Sequence, residues 1–190
     1  MRRFFWVRHG PTHVKAMLGW TDMPADLSDH AALARLSSAL PKVPVISSDL
    51  SRAVMTADAI LDGRTRLPHH AGLREINFGA WEMKHHGDIA DQARLRRYWE
   101  DPGDIAPPDG ESWNDVSRRV DETVAELLQS QQSDLILVAH FGVILTQLRH
   151  ALGISAQKVF AHRIDNLSIT ELVHDNEGWK AAGINHIVTD

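Results

Sequence analysis

Apolar and polar positions along the 190-residue chain switch between strand-like runs and helical stripes. Phe4-Phe5-Trp6-Val7 is a short apolar run of strand formers flanked by charge, which predicts a buried strand. Gly10 and Pro11 end it, so Arg8 and His9 fall at its carboxyl end. Leu33, Leu36 and Leu40 then form one stripe at i, i+3, i+7, with Ser28 as its expected cap and Pro41 as its stop. Val43 to Ile46 reads as a second strand. Ser47-Ser48-Asp49 leads into a helical stretch from about Ser51 to Leu61, with Arg52 in its first turn.

Residues 62–87 show no long period and predict loops and short strands. Ile89 to Glu100 reads as helical, and Pro102-Gly103 and Pro107-Pro108-Asp109-Gly110 mark a surface loop. Ser112 with Asp115 forms a capping box before a helix that carries Val116, Val120, Val124 and Leu127 on one face. Leu135 to Ala139 is apolar throughout, as a strand covered on both faces should be, and His140 follows it directly. A buried helix from Phe141 to Leu152 should end at Gly153. Ile169 to Val173 and Trp179 to Ile184 predict a closing pair of strands. Strands alternating with helices define an α/β class with a largely parallel, layered sheet. No repeat or linker divides the chain. The expectation is one domain, 1–190, with 62–110 as an insertion over the site.

Composition narrows the picture. The chain is 43% hydrophobic and 24% charged, ordinary globular usage. It has no cysteine, which removes thiolate metal sites, disulfides and cysteine nucleophiles and fits a reducing, cytoplasmic setting. A net charge of −5 argues against a nucleic-acid surface or an anionic membrane as partner. No stretch reaches the roughly 20 apolar residues of a membrane span.

Ligands of open α/β sheets sit beyond the carboxyl ends of the strands. Three such ends here carry Arg8-His9, Arg52 and His140. Two guanidiniums and two imidazoles meeting in one cleft would make an anion site, and arginine forks suit phosphate oxygens. Nearby positive charge favours neutral His9, with one ring nitrogen free to attack. An acceptor on the other nitrogen would be needed to fix the tautomer. Taken singly, each residue also has a bland reading: a surface pair, or a satisfied core histidine. His69-His70 and His85-His86 are weak metal candidates, because adjacent residues seldom share one site. Of Trp20, Trp81, Trp99 and Trp113, at least half should be packing residues.

Arg8-His9-Gly10-Pro11-Thr12 after an apolar strand resembles the signature of the histidine phosphatase superfamily, the phosphoglycerate-mutase-like proteins. The resemblance continues through Gly19-Trp20-Thr21-Asp22, Ser47-Ser48-Asp49-Leu50-Ser51-Arg52-Ala53, Leu73-Arg74-Glu75-Ile76-Asn77-Phe78-Gly79-Ala80-Trp81-Glu82 and Val138-Ala139-His140-Phe141-Gly142. These blocks keep their order from residue 4 to about 150. The resemblance implies a three-layer α/β/α fold with a mostly parallel central sheet, and hydrolysis through a phosphohistidine. It makes His9 the nucleophile and Glu75 the general acid. Arg8, Arg52 and His140 become the phosphoryl clamp, with no metal and no other cofactor. Thr12, Lys15, Trp20, Thr21 and Phe141 would border the substrate.

Lys15 stands where many relatives carry Asn, Phe141 where many carry Gly, and Met83 where many small phosphatases carry Gly. These changes bear on substrate choice. The short stretch from Glu75 to His140 favours a phosphomonoesterase of a small metabolite, of the α-ribazole or broad-specificity type, over a phosphoglycerate mutase. A phospho-ligand binding module that has lost turnover is the reading from another class. Exposed apolar faces on the 179–184 strand would point to a homodimer.

Overall fold

The computed structural model describes residues 1–189. Its middle layer is a five-stranded sheet in the order β2-β3-β1-β4-β5. β1 (Arg2–Arg8), β2 (Val45–Ser47) and β3 (Leu135–Ala139) run parallel. β4 (Ile169–Asp175) and β5 (Gly178–His186) close one edge in antiparallel fashion. The sheet is therefore parallel across the strands that carry the candidate chemistry and antiparallel elsewhere.

Strand periodicity sorts β1 and β3 between two cores. Phe4, Trp6, Leu135 and Leu137 face one layer, and Phe5, Val7, Ile136 and Val138 face the other. All five residues of β3 are buried, as its unbroken apolar run requires. Each buried leucine, isoleucine or valine among them contributes about 1.5–3 kcal/mol by leaving water. On the Phe5 face lie α1 (His30–Ala39) and α2 (Ser51–Ala59), through Leu33, Leu36, Ala53 and Ala57. On the Trp6 face lie α4 (Trp113–Ser130) and α5 (Phe141–Leu152), with α3 (Gln92–Glu100) and a short α6 (Ala156–Val159) beside them. The result is the three-layer arrangement.

Most elements fall where the hydrophobic pattern puts them. The Ser112–Asp115 capping box is present in both directions, and Val116, Val120, Val124 and Leu127 are buried. Gly153, at φ 62°, terminates α5. Four expectations need correction. Asp29 caps α1 in place of Ser28: its Oδ1 accepts from Ala32 N at 2.9 Å, while the Ser28 amide is held by Asp26. α2 ends at Ala59, short of Leu61. α3 begins at Gln92 because Asp91 caps it. Residues 62–87 contain no strand, only an isolated bridge between Val45 and Arg66 and single 3-10 turns. On β5, Trp179, Ala181 and Ile184 are half-buried against the larger core. Among the described residues no helix is long and apolar enough to cross a membrane.

Candidate active site

The three parallel strands end in step. The first residue past β1 is His9, past β2 Ser48 and past β3 His140. The ladder runs on through them: His9 N donates to Ala139 O at 3.0 Å and Ser48 N to Val138 O at 3.2 Å. The three side chains therefore stand in a row at one end of the sheet. Ser48 Oγ lies 2.6 Å from His140 Nε2, and the His140 and His9 rings are 5.0 Å apart between centroids.

His9 is held in one tautomer. Its Nδ1 lies 2.6 Å from the Gly10 carbonyl, which can only accept, so Nδ1 carries the proton and Nε2 keeps its lone pair. This supplies the acceptor that the sequence left unidentified. Burial, and then the Arg52 charge, push the His9 pKa down to about 3, so the ring is neutral. Asn166 Nδ2 donates to His9 O at 2.7 Å and steadies the turn.

Both arginines of the expected clamp are incompletely satisfied; Arg52 is fully buried and Arg8 half-buried. Arg8 Nη1 donates to Ile164 O at 2.6 Å, and its guanidinium carbon lies 5.5 Å from the centre of the Phe141 ring. Arg52, on the first turn of α2, donates to Gly19 O at 2.5 Å and Thr21 O at 3.1 Å. The Nε atoms of Arg8 and Arg52 and Nδ1 of His140 are buried without a partner among the described residues. Native interiors rarely leave buried donors empty, and three such atoms in one cleft stand out. Burial lowers the His140 pKa well below the usual imidazole range, with His9, Arg52 and Arg8 adding to it.

Glu75 sits on the other side of this cluster. Its carboxylate accepts from Ile76 N at 3.0 Å and from Gly142 N, in the first turn of α5, at 3.0 and 3.2 Å. A Cβ on residue 142 would lie 2.6 Å from Glu75 Oε1, so glycine is needed for this approach. Burial raises the Glu75 pKa. The two amides, Arg52 and Arg8 pull the other way without cancelling it. A carboxyl group whose pKa is raised beside a neutral imidazole and two guanidiniums is suited to give up a proton as an acid.

Thr12 and Lys15 line a recess of about 310 Å³ together with Arg8, His9 and Asn166. Trp20 and Thr21 bond to the cleft residues themselves. The Trp20 indole is tied to Glu75 O at 2.8 Å, and Thr21 offers its carbonyl to Arg52. Trp81 and Trp113 are core residues, 3% and 2% exposed. His69 faces Arg66 and Ser47, whereas its neighbour His70 faces Glu126. Met83 has φ 59°, a conformation that explains glycine at this position in the resembling pattern. A recess of about 430 Å³ beside Leu27, Leu33, Leu36 and Val188 lies against α1, on the sheet face opposite Glu75. Ser48 is the functional candidate that the residue reading missed. Its offset of one residue past a strand, shared with His9 and His140, was the available signal.

A cationic cleft at the ends of parallel strands, holding a neutral imidazole, a buried carboxyl group and two guanidiniums, has the chemistry of a phosphomonoesterase site. The family model of the histidine phosphatase superfamily (branch 1) matches residues 4–187, and the chain belongs to that superfamily. It is 30% identical to the adenosylcobalamin/alpha-ribazole phosphatase of Salmonella typhimurium, over 86% of each chain. It is 35% identical to the glucosyl-3-phosphoglycerate phosphatase of Mycolicibacterium vanbaalenii, over 81% of this chain and 76% of that one. The solved structure of Bacillus stearothermophilus YhfR superposes with a TM-score of 0.87 at 25% identity, covering 100% of this chain and 98% of the other.

Proposed function

We propose that the protein hydrolyses a small phosphorylated metabolite through a phosphohistidine at His9. His9 Nε2 attacks phosphorus, the bond to the ester oxygen breaks, and Glu75 gives its proton to the departing alkoxide. The Glu75 carboxylate then takes a proton from water, whose oxygen attacks phosphorus. The P–N bond breaks, inorganic phosphate leaves and neutral His9 returns. Arg8, Arg52 and His140 hold the non-bridging oxygens as charge develops on them. For His140 Nδ1 to donate, Nε2 must accept, and the Ser48 hydroxyl is placed to supply that hydrogen bond. Thr12 and Lys15 border the substrate, and residues 62–110 cover the site within the one domain while supplying Glu75.

The observation that carries this reading is the set of buried, unpartnered donors beside a histidine whose Nε2 is free. The relatives act on α-ribazole phosphate and glucosyl-3-phosphoglycerate, so an organic phosphomonoester is the matching substrate class. A cysteine-free composition suits the cytoplasm, where such metabolites occur.

The test is phosphate release from an aryl phosphate with chelator present. Turnover by the wild type that disappears in His9→Ala supports the proposal. Undiminished turnover in His9→Ala would exclude it.

A further inference from the structure

Glu82 follows the 3-10 turn Gly79–Trp81 and lies outside the group of residues that face the phosphoryl site. Its carboxylate nevertheless receives four backbone N–H groups. Oε1 accepts from Trp20 N at 2.7 Å and Phe78 N at 3.0 Å, and Oε2 from Gly19 N at 3.1 Å and Thr21 N at 3.2 Å. Three consecutive amides of one loop thus point at a single side chain.

The same loop holds the catalytic cleft from its other side. The peptide unit between Gly19 and Trp20 is gripped at both ends: Glu82 takes its N–H, and Arg52 Nη2 donates to its carbonyl at 2.5 Å. In a trans peptide these two groups point in opposite directions, so fixing one end aims the other. A charged acceptor on the N–H also polarises the unit and strengthens the carbonyl as an acceptor. Thr21 O adds the second Arg52 contact, and the Trp20 indole reaches Glu75 O at 2.8 Å. The loop has no slack, since a Cβ on Gly19 would lie 2.0 Å from Ile76 O and 2.3 Å from Glu82 Oε1.

We propose that Glu82 is a positioning residue, which acts through the 19–21 loop to aim the Arg52 guanidinium at the phosphoryl group. This rests on the reading that Arg52 holds that group. Without the carboxylate the loop loses its orientation, and the fork is free to relax toward other carbonyls.

Glu82→Gln keeps the volume and one acceptor oxygen. Misplacement by about 1 Å costs ~100-fold in well-aligned sites, so kcat for an aryl phosphate should fall ~10- to 100-fold in this variant. KM should rise by no more than the loss in phosphate affinity, and by less than kcat falls, since remote contacts of the substrate are untouched. The dissociation constant of inorganic phosphate, measured by calorimetric titration, should rise ~5-fold or more as charge-assisted bonds weaken. Glu82→Asp, a milder change, should show the same pattern at smaller amplitude.

The decisive arm is a double-mutant cycle. In an Arg52→Ala background, Glu82→Gln should cost less than about twofold in either readout, because coupled residues are non-additive. Equal losses in both backgrounds would overturn the proposal. So would a lowered Tm with kcat and phosphate affinity unchanged. Phosphate titration needs no turnover. An inert wild type would therefore count against the phosphatase reading while the titration still decides the role of Glu82.

Discussion

Two buried arginines in this protein have the same chemistry and opposite fates. Arg64 has a side chain with no exposure, and every nitrogen is engaged. It donates to the carbonyls of Pro41, Ile60, Ser37 and Leu40 at 2.6–2.8 Å and to Ser37 Oγ at 3.1 Å. These carbonyls close the carboxyl-terminal ends of α1 and α2, where a cation also meets the negative end of each helix dipole. Arg52 is 0% exposed as well, yet it uses two nitrogens on one loop and leaves Nε without a partner. A satisfied buried arginine fastens the fold. On the proposed reading, an unsatisfied one keeps a donor for an anion at a cost to the fold.

The largest expected effect tests the second half of that contrast. Arg52→Ala should lower kcat/KM by ~1,000-fold, the scale of losing an arginine from a phosphoryl site. Its midpoint in urea should stay near the wild-type value. A large stability loss with modest kinetic loss would reverse the assignment.

Arg64→Met should do the opposite. Orphaning its carbonyl partners should remove about 3 kcal/mol from the urea-unfolding free energy. The kcat of the folded variant should stay within about twofold of wild type, because Arg64 faces no residue of the cleft.

Glu75 sharpens the comparison with an acid. Its pKa is raised by burial, so it keeps its proton to higher pH than an ordinary carboxyl. The acid role needs that proton, so kcat/KM should fall as pH rises through the raised value, about tenfold per unit. His9, with a pKa of about 3, stays neutral on the acid side and should not limit the rate above that. The basic limb should vanish in Glu75→Gln. Its persistence there would assign it to another group.

The smallest effect separates two adjacent serines. Ser48→Ala removes the partner of His140 Nε2 and should cost ~3- to 10-fold in kcat, the worth of one hydrogen bond. Ser47, which accepts from Arg66 Nη2 at 2.6 Å, belongs to the structural side. Ser47→Ala should lower stability by about 1 kcal/mol and leave kcat unchanged.

The hydrophobic pattern alone placed β1, β3, α4 and α5, because each is an apolar run or stripe bounded by a strong stop. It also set Arg8, His9 and His140 at strand ends, and with them most of the cleft. The start of α1 escaped it because Ser28 and Asp29 are both good caps, and the choice turns on Asp26 holding the Ser28 amide. Residues 62–87 escaped it because their order comes from distant partners, such as the bond from Arg119 to Arg74 O at 2.9 Å, and not from any local period. Glu75 illustrates the same limit. Its role depends on Gly142, 67 positions away, and only the resemblance marked it in advance. Glu82 was legible as part of a motif, but its four amide contacts exist only once the 19–21 loop folds against it.

The central claim is that His9 carries the phosphoryl group. The direct measurement is rapid quench of Glu75→Gln with an activated aryl phosphate, followed by peptide mapping of the acid-labile phosphate. A good leaving group needs little protonation, whereas the second step lacks its base, so the intermediate should accumulate. The account predicts a stoichiometric burst of the aryl alcohol and phosphate on the peptide that contains His9. A burst with the label on another residue, or turnover with no labelled peptide at any quench time, would contradict it.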